Sequence, residues 1–248
     1  MTLSGKVCLI TGGTSGIGKA TALTLAEQGA SLALVSRTGE ISEAFANELR
    51  RLGATYHLIC ADVSGARDCQ RCVVQTVALF GRLDVLVNSA GGPAPGKLED
   101  VSEDAWMRAF AVHVHSVFFL AKAAVPHMAK QKGGAVILLG SAAGLRGCLG
   151  ALPYGVVKGT LPQFTRMLAG ELADQNIRVN CVAPGVVRTP FQDFLTPEQA
   201  ANNVQNRIPL HREGRPEDVA QAISMLVQND FITGETIVID GGMTMRIV

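Results

Sequence analysis

Short apolar runs alternate with longer amphipathic stretches along the whole chain. Seven of the short runs predict β-strands, and several are apolar at every position, which is typical of strands buried on both faces of a parallel sheet. The predicted strands are Val7–Thr11, Ser31–Ser36, Thr55–Ala61, Val85–Ser89, Ala135–Gly140, Arg178–Ala183 and Thr236–Asp240. Six stretches between them have helical spacing, at Gly18–Gln28, Ile41–Leu52, Ala66–Phe80, Glu103–Lys132, Pro153–Gln175 and Pro216–Gln228.

This alternation of strands and helices predicts one fold class. Parallel strands joined by helical crossovers form a doubly wound sheet, and such crossovers are right-handed in nearly all proteins. We therefore expect a Rossmann-type α/β fold with seven mainly parallel strands and helices on both faces. No repeat, low-complexity tract or linker interrupts the pattern, so residues 1–248 are expected to form a single domain.

Two segments break the regular alternation. Residues 91–102 are rich in Gly and Pro and follow the fourth strand, whereas residues 184–215 form a longer insertion after the sixth strand. Both lie after the carboxyl ends of strands, where open α/β sheets bind ligands. Because Phe191, Phe194 and Leu195 argue against a purely solvated spacer, we expect residues 184–215 to form a substrate loop.

The composition excludes several classes of protein. The 22 Lys and Arg residues nearly balance the 21 Asp and Glu residues, and a net charge of +1 argues against a dedicated nucleic-acid binder. A hydrophobic content of 48% excludes a disordered chain. No apolar run reaches the ~18–20 residues that span a bilayer, and the first five residues do not resemble a signal peptide. We therefore expect a cytoplasmic protein that binds neither nucleic acid nor membrane.

Two of the six cysteines, Cys69 and Cys72, have the spacing of a metal-binding pair. A zinc site needs a second pair or a histidine cluster, and the sequence contains neither at suitable spacing. We interpret the two cysteines as incidental residues of a helix and expect no metal.

The segment TGGTSGIG, residues 11–18, follows the first strand and opens the first helix. Glycines in such a turn let the backbone approach a pyrophosphate, and the helix N-terminus offers N–H groups and a positive dipole end. The spacing G-x-x-x-G-x-G also suits a tight turn without a ligand, but its position at the head of a βαβ unit favours a dinucleotide. The predicted cofactor-binding residues are Gly12, Thr14, Ser15, Gly16, Ile17 and Gly18.

The end of the second strand indicates which dinucleotide binds. An NAD-binding chain usually has an acidic residue there for the ribose 2′-hydroxyl, but this chain has Ser36 and Arg37. The planar guanidinium of Arg37 can bind a 2′-phosphate, so we expect NADP(H) rather than NAD(H); a solvated surface arginine is the alternative. Asp62 and Val63 follow the third strand and can reach the adenine, although Asp62 is almost as well suited to cap the next helix.

Tyr154 and Lys158 are four residues apart in a predicted helix and so share one of its faces. A neighbouring cation stabilises phenolate, so we expect Lys158 to lower the pKa of Tyr154 and make the phenol a usable general acid. Ser141 ends the fifth strand, where its hydroxyl can hold a substrate carbonyl beside the phenol.

Together these motifs resemble the short-chain dehydrogenase/reductase family over residues 5–242. The similarity rests on TGGTSGIG at 11–18, DV at 62–63, NSAG at 88–91, Ser141, YGVVK at 154–158 and PGVVRT at 184–189. The resemblance implies that Tyr154 is the catalytic acid/base, that Ser141 orients the substrate and that Lys158 binds the nicotinamide ribose. It further implies cofactor contacts from Asn88, Ala90, Gly91, Pro184, Gly185, Val187 and Thr189, with Tyr154 and Lys158 also at the cofactor.

The fourth catalytic position departs from the family pattern, because His113 stands where the family normally has an asparagine that holds a water of the proton relay. A neutral imidazole can also donate and accept hydrogen bonds, and with a pKa near ~6.5 it would add a new pH dependence. The alternative is that His113 is a packing residue and the relay is impaired.

The resemblance implies a pocket lined by Pro93–Pro95, Ala142–Leu149, Leu152 and the 186–212 loop. Its side chains are mostly apolar, namely Leu145, Leu149, Leu152, Val186, Phe191 and Phe194, whereas Arg146 and Arg188 are the nearest charges and either can be solvent-exposed. This composition favours a medium-sized apolar or weakly polar ketone or alcohol over a highly charged metabolite as substrate, with Tyr154 transferring the proton.

Two alternatives to this assignment stay open. The first is a non-catalytic dinucleotide-binding sensor or scaffold, which the departure at His113 suggests. The second is a 3-oxoacyl-carrier-protein reductase; such enzymes tend to have a basic residue where this chain has Gly170, although Lys130 and Lys132 are available. The resemblance also implies a homotetramer or a dimer, and the apolar ending Met243–Val248 suits burial in a partner or against its own subunit.

Overall fold

A computed structural model of the chain describes residues 1–193 and 195–245. Seven strands form one sheet in the order β3-β2-β1-β4-β5-β6-β7, and every neighbouring pair is parallel. The strands are β1 Val7–Thr11, β2 Ser31–Ser36, β3 Tyr56–Cys60, β4 Val85–Asn88, β5 Gly134–Leu139, β6 Ile177–Pro184 and β7 Thr236–Ile239. The predicted Rossmann-type doubly wound sheet is therefore confirmed.

The sheet has a switch point between β1 and β4. The chain proceeds from β1 outward to β2 and β3, and then crosses back to place β4 on the other side of β1. Thr11 and Asn88, the last residues of the two strands, are register partners. Because successive connections leave this point in opposite directions, a crevice opens at the carboxyl ends of β1 and β4.

The helices cover both faces of the sheet. One apolar layer joins the sheet to α1 Gly16–Ala26, α2 Glu43–Arg51 and α9 Pro216–Gln228. The other joins it to α3 Ala66–Phe80, α5 Ser116–Lys130 and α7 Leu152–Leu172. Cys69 and Cys72 lie buried in this second layer, where burial raises their pKa values to about 12 and about 11. Both thiols are therefore protonated core groups, as the helix interpretation predicts.

The helical stretch predicted at Glu103–Lys132 consists of three parts. It contains α4 Glu103–Phe110, a π-helical turn at Ala111–His115 and α5, all in one continuous run. By length and composition this run, Glu103–Lys130, is apolar enough to cross a membrane, but its α5 part packs on α3 and the sheet as a core helix does. The π turn interrupts the regular spacing at the position of His113.

Three of the short elements that were not predicted follow strands β5 and β6. The first is α6, Ala142–Arg146, which follows β5 directly where a pocket-lining segment was expected. The 184–215 insertion contains the other two, a 3₁₀ turn at Pro190–Gln192 and α8, Pro197–Asn202, which continues into a π-helical turn at Asn203–Arg207. The insertion is thus a folded loop rather than an irregular one.

Candidate active site

A cleft of about 300 Å³ opens at the carboxyl ends of β1, β4, β5 and β6. It unites residues from the motifs of the sequence analysis other than the DV pair at 62–63. The predicted residues that line it are Gly12, Ser15, Gly16, Ile17, Gly18, Arg37, Ala90, Gly91, His113, Ser141, Tyr154, Lys158, Pro184, Gly185, Val187 and Thr189. Phe191 and Pro93 of the predicted pocket also line it.

The glycine turn brings backbone against backbone at one wall of the cleft. Gly12 has a φ of +65°, and a Cβ added to it would lie 3.0 Å from the Cα of Ala90, so the turns after β1 and β4 touch. A Cβ on Gly18 would lie 2.1 Å from the carbonyl oxygen of Gly12, which shows how tightly α1 starts against the turn. The open backbone and the N-terminus of α1 fit a pyrophosphate.

The loop after β6 forms the opposite wall. Val187 and Thr189 line the cleft, while Arg188 points away from the core with two thirds of its side chain exposed. Its Nε lies 2.6 Å from Oε2 of the buried Glu213, and its backbone N–H donates to the carbonyl of Gly214. This pairing holds the two ends of the 184–215 insertion together beside the cleft.

The Ser141, Tyr154 and Lys158 side chains meet through the crossing of α6 and α7. Ser141 Oγ accepts a hydrogen bond from the Ala143 N–H and so caps α6, and it also hydrogen-bonds Tyr154. The two helices touch through backbone, because a Cβ on Gly144 would lie 2.5 Å from the carbonyl carbon of Lys158. This contact brings the strand-end serine to the Tyr154–Lys158 face of α7.

The expectation that Lys158 lowers the pKa of Tyr154 is wrong for this arrangement. Burial raises the pKa of Tyr154, and the hydrogen bond with Ser141 only partly opposes that effect. The Lys158 ammonium lies 5.8 Å from the centre of the Tyr154 ring and donates a 2.5 Å hydrogen bond to the Leu139 carbonyl. Burial also lowers the pKa of Lys158 to about 8.

His113 lies in the π turn, almost completely buried beside Tyr154. The two rings meet edge to face, with centroids 5.7 Å apart. His113 Nε2 is 3.1 Å from the Gly92 carbonyl and 3.5 Å from the Gly92 nitrogen; the closer contact assigns the proton to Nε2, which donates to the carbonyl. Nδ1 is then an acceptor, and it has no hydrogen-bond partner among the residues described.

The pKa of about 6.5 expected for His113 is wrong. Burial and the neighbouring Lys158 lower its pKa to about 3, although the hydrogen bond with Gly92 acts in the other direction. The ring is therefore neutral throughout the range in which most enzymes work. A new pH dependence from its titration near neutrality does not arise.

Four predicted cofactor residues lie outside the cleft lining, namely Thr14, Asp62, Val63 and Asn88. Asn88 is buried and links strands and helix: its Oδ1 accepts from the Thr11 hydroxyl, and its amide donates to Ser116. Asp62 accepts a hydrogen bond from the Ser64 N–H in the turn before α3, which resembles the alternative role of capping that helix. Val63 belongs to the apolar layer on that side. Cofactor contacts from these four residues stay predictions.

Some residues of the site were missed, and others lie outside the described residues. Ser89, Leu139 and Gly140 line the cleft; each belongs to or follows a strand end, and strand ends were the signal that could have identified them. Phe194 of the predicted pocket and Arg246–Val248 of the apolar ending lie outside the described residues. Within residues 1–193 and 195–245, no group of three or more His, Cys, Asp or Glu side chains could hold a metal.

Known proteins resemble the chain over nearly its whole length. A family model described as "Enoyl-(Acyl carrier protein) reductase" matches residues 12–244. The 3-oxoacyl-[acyl-carrier-protein] reductase FabG of Thermotoga maritima is 38% identical over 99% of this chain and 100% of its own length. Dehydrogenase/reductase SDR family member 4 of Oryctolagus cuniculus is 38% identical over 99% and 96%.

Solved structures also resemble the chain over nearly its whole length. A short-chain type dehydrogenase/reductase from Mycobacterium marinum superposes with a TM-score of 0.93 at 33% identity, over 98% of this chain and 97% of that one. A 7α-hydroxysteroid dehydrogenase complexed with NADH and 7-oxo glycochenodeoxycholic acid superposes with a TM-score of 0.92 at 28% identity, over 99% and 97%.

The sheet order, the glycine turn and the cleft define a Rossmann-type dinucleotide-binding protein, and the relatives place it among oxidoreductases that use nicotinamide dinucleotides. The family model and the relatives identify the group within that class: the chain belongs to the short-chain dehydrogenase/reductase family.

We predict that His113 does not titrate between pH 5 and pH 8 in the folded protein. Its folded pKa of about 3 lies below the unfolded value of ~6.5, so only the unfolded state binds this proton as the pH falls from 6.5, and stability declines over that interval. NMR shifts of the imidazole check the titration directly. Urea unfolding should show that stability falls less between pH 7 and pH 5 in His113→Asn than in the unmodified protein, with the solvent-exposed His57→Asn as control. An imidazole titrating near 6.5 would contradict the assignment.

Proposed function

We propose that the protein is an NADP(H)-dependent oxidoreductase that interconverts a carbonyl and a secondary alcohol, with Tyr154 as general acid/base. The observation that supports it most is the convergence of Ser141, Tyr154 and Lys158 on the same cleft as the glycine turn. The bound nicotinamide would supply or accept the hydride. The residues of the chain then have to hold the substrate carbonyl and move one proton.

The geometry suits proton donation during reduction. The raised pKa of Tyr154 keeps its phenol protonated at neutral pH, so the hydroxyl can donate to the oxygen of a carbonyl as that oxygen gains negative charge. Ser141 hydrogen-bonds the phenol and lies where it can orient the same oxygen. Lys158, held by the Leu139 carbonyl, is available to the nicotinamide ribose hydroxyls.

His113 is proposed as a positioning residue of this site. Its ring packs on Tyr154 and its Nε2–H donates to the Gly92 carbonyl, so it holds both the phenol and the turn after β4. Being neutral, it can contribute to a proton relay only through a water accepted at Nδ1. A smaller kcat for His113→Asn with an unchanged cofactor Kd would agree with this role; a large gain in kcat would contradict it.

Tyr154→Phe should lower kcat by about 10³-fold, because it removes the proton that a general acid supplies. NADPH binding, followed by the fluorescence of the nicotinamide, should change less than about threefold. The second tyrosine of the chain offers a matched control: Tyr56→Phe on the edge strand β3 should leave kcat unchanged. Substantial turnover by Tyr154→Phe would refute the assignment.

Arg37 supports NADP(H) as the cofactor. It lines the cleft at the end of β2 and is exposed, and no ion pair is formed by it among the residues described. No carboxylate from the described part of the chain lines the cleft to hold a ribose 2′-hydroxyl. A guanidinium there favours a 2′-phosphate through charge-assisted hydrogen bonds.

Arg37→Gln should lower kcat/KM for NADPH by about 10-fold to 100-fold while changing that for NADH less than about threefold, because only NADPH has the phosphate. Steady-state kinetics with both cofactors measure the difference. Arg51→Gln, an exposed arginine at the end of α2, is the control and should alter neither value. A preference of the unmodified protein for NADH would contradict the proposal.

The 3-oxoacyl-carrier-protein reductase alternative draws support from the 38% identity to the Thermotoga maritima protein of that name. In this chain, however, Lys130 and Lys132 lie near the start of β5, at the amino ends of the strands, whereas the cleft lies at their carboxyl ends. Lys132 borders a second cavity of about 230 Å³ there.

The non-catalytic alternative would gain support if the protein bound NADPH tightly but turned over no carbonyl or alcohol.

A homotetramer, or a dimer, is proposed from the aromatic face of α4 and α5. The ring centroids are 5.1 Å apart for Trp106 and Phe110, 6.3 Å for Phe110 and His115, and 6.4 Å for His115 and Phe119. The neighbouring Phe118 is half exposed. A second copy of the chain would cover this face.

The six cysteines, all free, support the predicted cytoplasmic localisation, which stays a prediction.

Light scattering should therefore give a mass about two or four times that of the 26.1 kDa chain. Phe118→Glu should shift the population toward the single chain because it puts a charge into the covered face. The fully exposed Phe231, substituted as Phe231→Glu, provides the control. A 26 kDa particle for the unmodified protein would reject the assembly.

A further inference from the structure

The end of the cleft around Tyr154 has one apolar side, and Lys158 is the charged side chain that lines this end among the described residues. Pro93, Pro190 and Phe191 form this apolar side, whereas Leu149 of the predicted pocket is fully exposed and does not line the cleft. Among the described lining residues, Arg37 is the charged side chain other than Lys158, and it lies at the end of β2. Since β2 is three strands from β5, Arg37 is roughly 14 Å away across the sheet and cannot neutralise a charge on a substrate here.

The two arginines nearest to this end are already engaged. Arg146 donates from Nε to the carbonyl of Thr244 at 3.0 Å. Arg188 is paired with Glu213. Arg188 would have to leave Glu213 to meet a carboxylate or phosphate on the substrate, and the Lys158 ammonium is already held by the Leu139 carbonyl, which makes an uncharged substrate the better fit.

Phe191 lies directly against the catalytic phenol. The centres of the Phe191 and Tyr154 rings are 5.6 Å apart and their planes are inclined by 43°. The 3₁₀ turn that holds Phe191 is closed by hydrogen bonds from the Gln192 N–H to the Thr189 carbonyl and from the Asp193 N–H to the Pro190 carbonyl. With His113 edge-on to the phenol as well, Tyr154 has aromatic rings as two of its neighbours.

We propose that Phe191 determines substrate specificity and that the substrate is an uncharged ketone or secondary alcohol with an aryl group next to the reacting carbon. The proposal rests on the proposed function. A carbonyl that takes the proton of Tyr154 lies within hydrogen-bond distance of the phenol, so a ring attached to its carbon reaches the Phe191 ring. Aromatic rings at this spacing favour edge or offset packing, which a saturated ring cannot match.

The test compares acetophenone with cyclohexyl methyl ketone, which have similar shapes but differ in the π-system. The ratio of their kcat/KM values should favour acetophenone in the unmodified protein, and Phe191→Leu should lower the ratio by about 10-fold because the aromatic partner is lost. Phe191→Tyr keeps the ring and should keep the ratio. Phe231→Leu, at a fully exposed phenylalanine after α9, is the matched control and should change nothing.

A binding measurement separates this inference from the proposed function. Calorimetry of 2-acetylnaphthalene with the protein–NADP⁺ complex, in which no reduction can occur, should show a Kd about 10-fold higher for Phe191→Leu. If no ketone is reduced, the proposed function fails, while this binding difference still supports the aryl site. An unchanged ratio and an unchanged Kd in Phe191→Leu would overturn the inference. A higher kcat/KM for 4-acetylbenzoate or for a 3-oxoacyl thioester than for acetophenone would also overturn it.

Discussion

Contact of backbone with backbone at two places determines where the groups of the cleft lie. At the start of α1, a Cβ added to Gly18 would lie 2.1 Å from the carbonyl oxygen of Gly12. At the crossing of α6 and α7, a Cβ added to Gly144 would lie 2.5 Å from the carbonyl carbon of Lys158. A side chain at either glycine would force the two backbones apart, and a close-packed interior passes such a displacement on to its neighbours. The pyrophosphate turn and the Ser141–Tyr154–Lys158 group are therefore both held rigidly against one parallel sheet.

Burial in that cleft sets the protonation states of its titratable groups. Desolvation disfavours the charged form of each group, so it raises the pKa of Tyr154 and lowers those of Lys158 and His113. The result is a neutral phenol beside a neutral imidazole, with Lys158 as the nearby cation. Such a site suits reduction of a carbonyl, because the acid keeps its proton until the substrate oxygen becomes basic enough to take it.

The fold was predicted well where long elements repeat a pattern. All seven strands were found because buried parallel strands are apolar throughout, and the main helices because they bury one face. The short helices α6 and α8 were missed, since five or six residues contain too few turns to show a helical period. The π turn at His113 was missed for a related reason: one wider turn hardly alters the apolar spacing of a long helix.

The sequence by itself determined the seven parallel strands of a doubly wound sheet, the glycine turn after the first strand, and the placement of Tyr154 and Lys158 on one helix face. These features depend on local spacing, which a linear chain already contains. Only the tertiary structure decided that Arg188 pairs with Glu213, that Phe191 packs on Tyr154, and that burial, only partly opposed by the hydrogen bond with Ser141, raises the pKa of Tyr154. The physical reason is that contacts between distant segments and the loss of water around a charge exist only once the chain has folded.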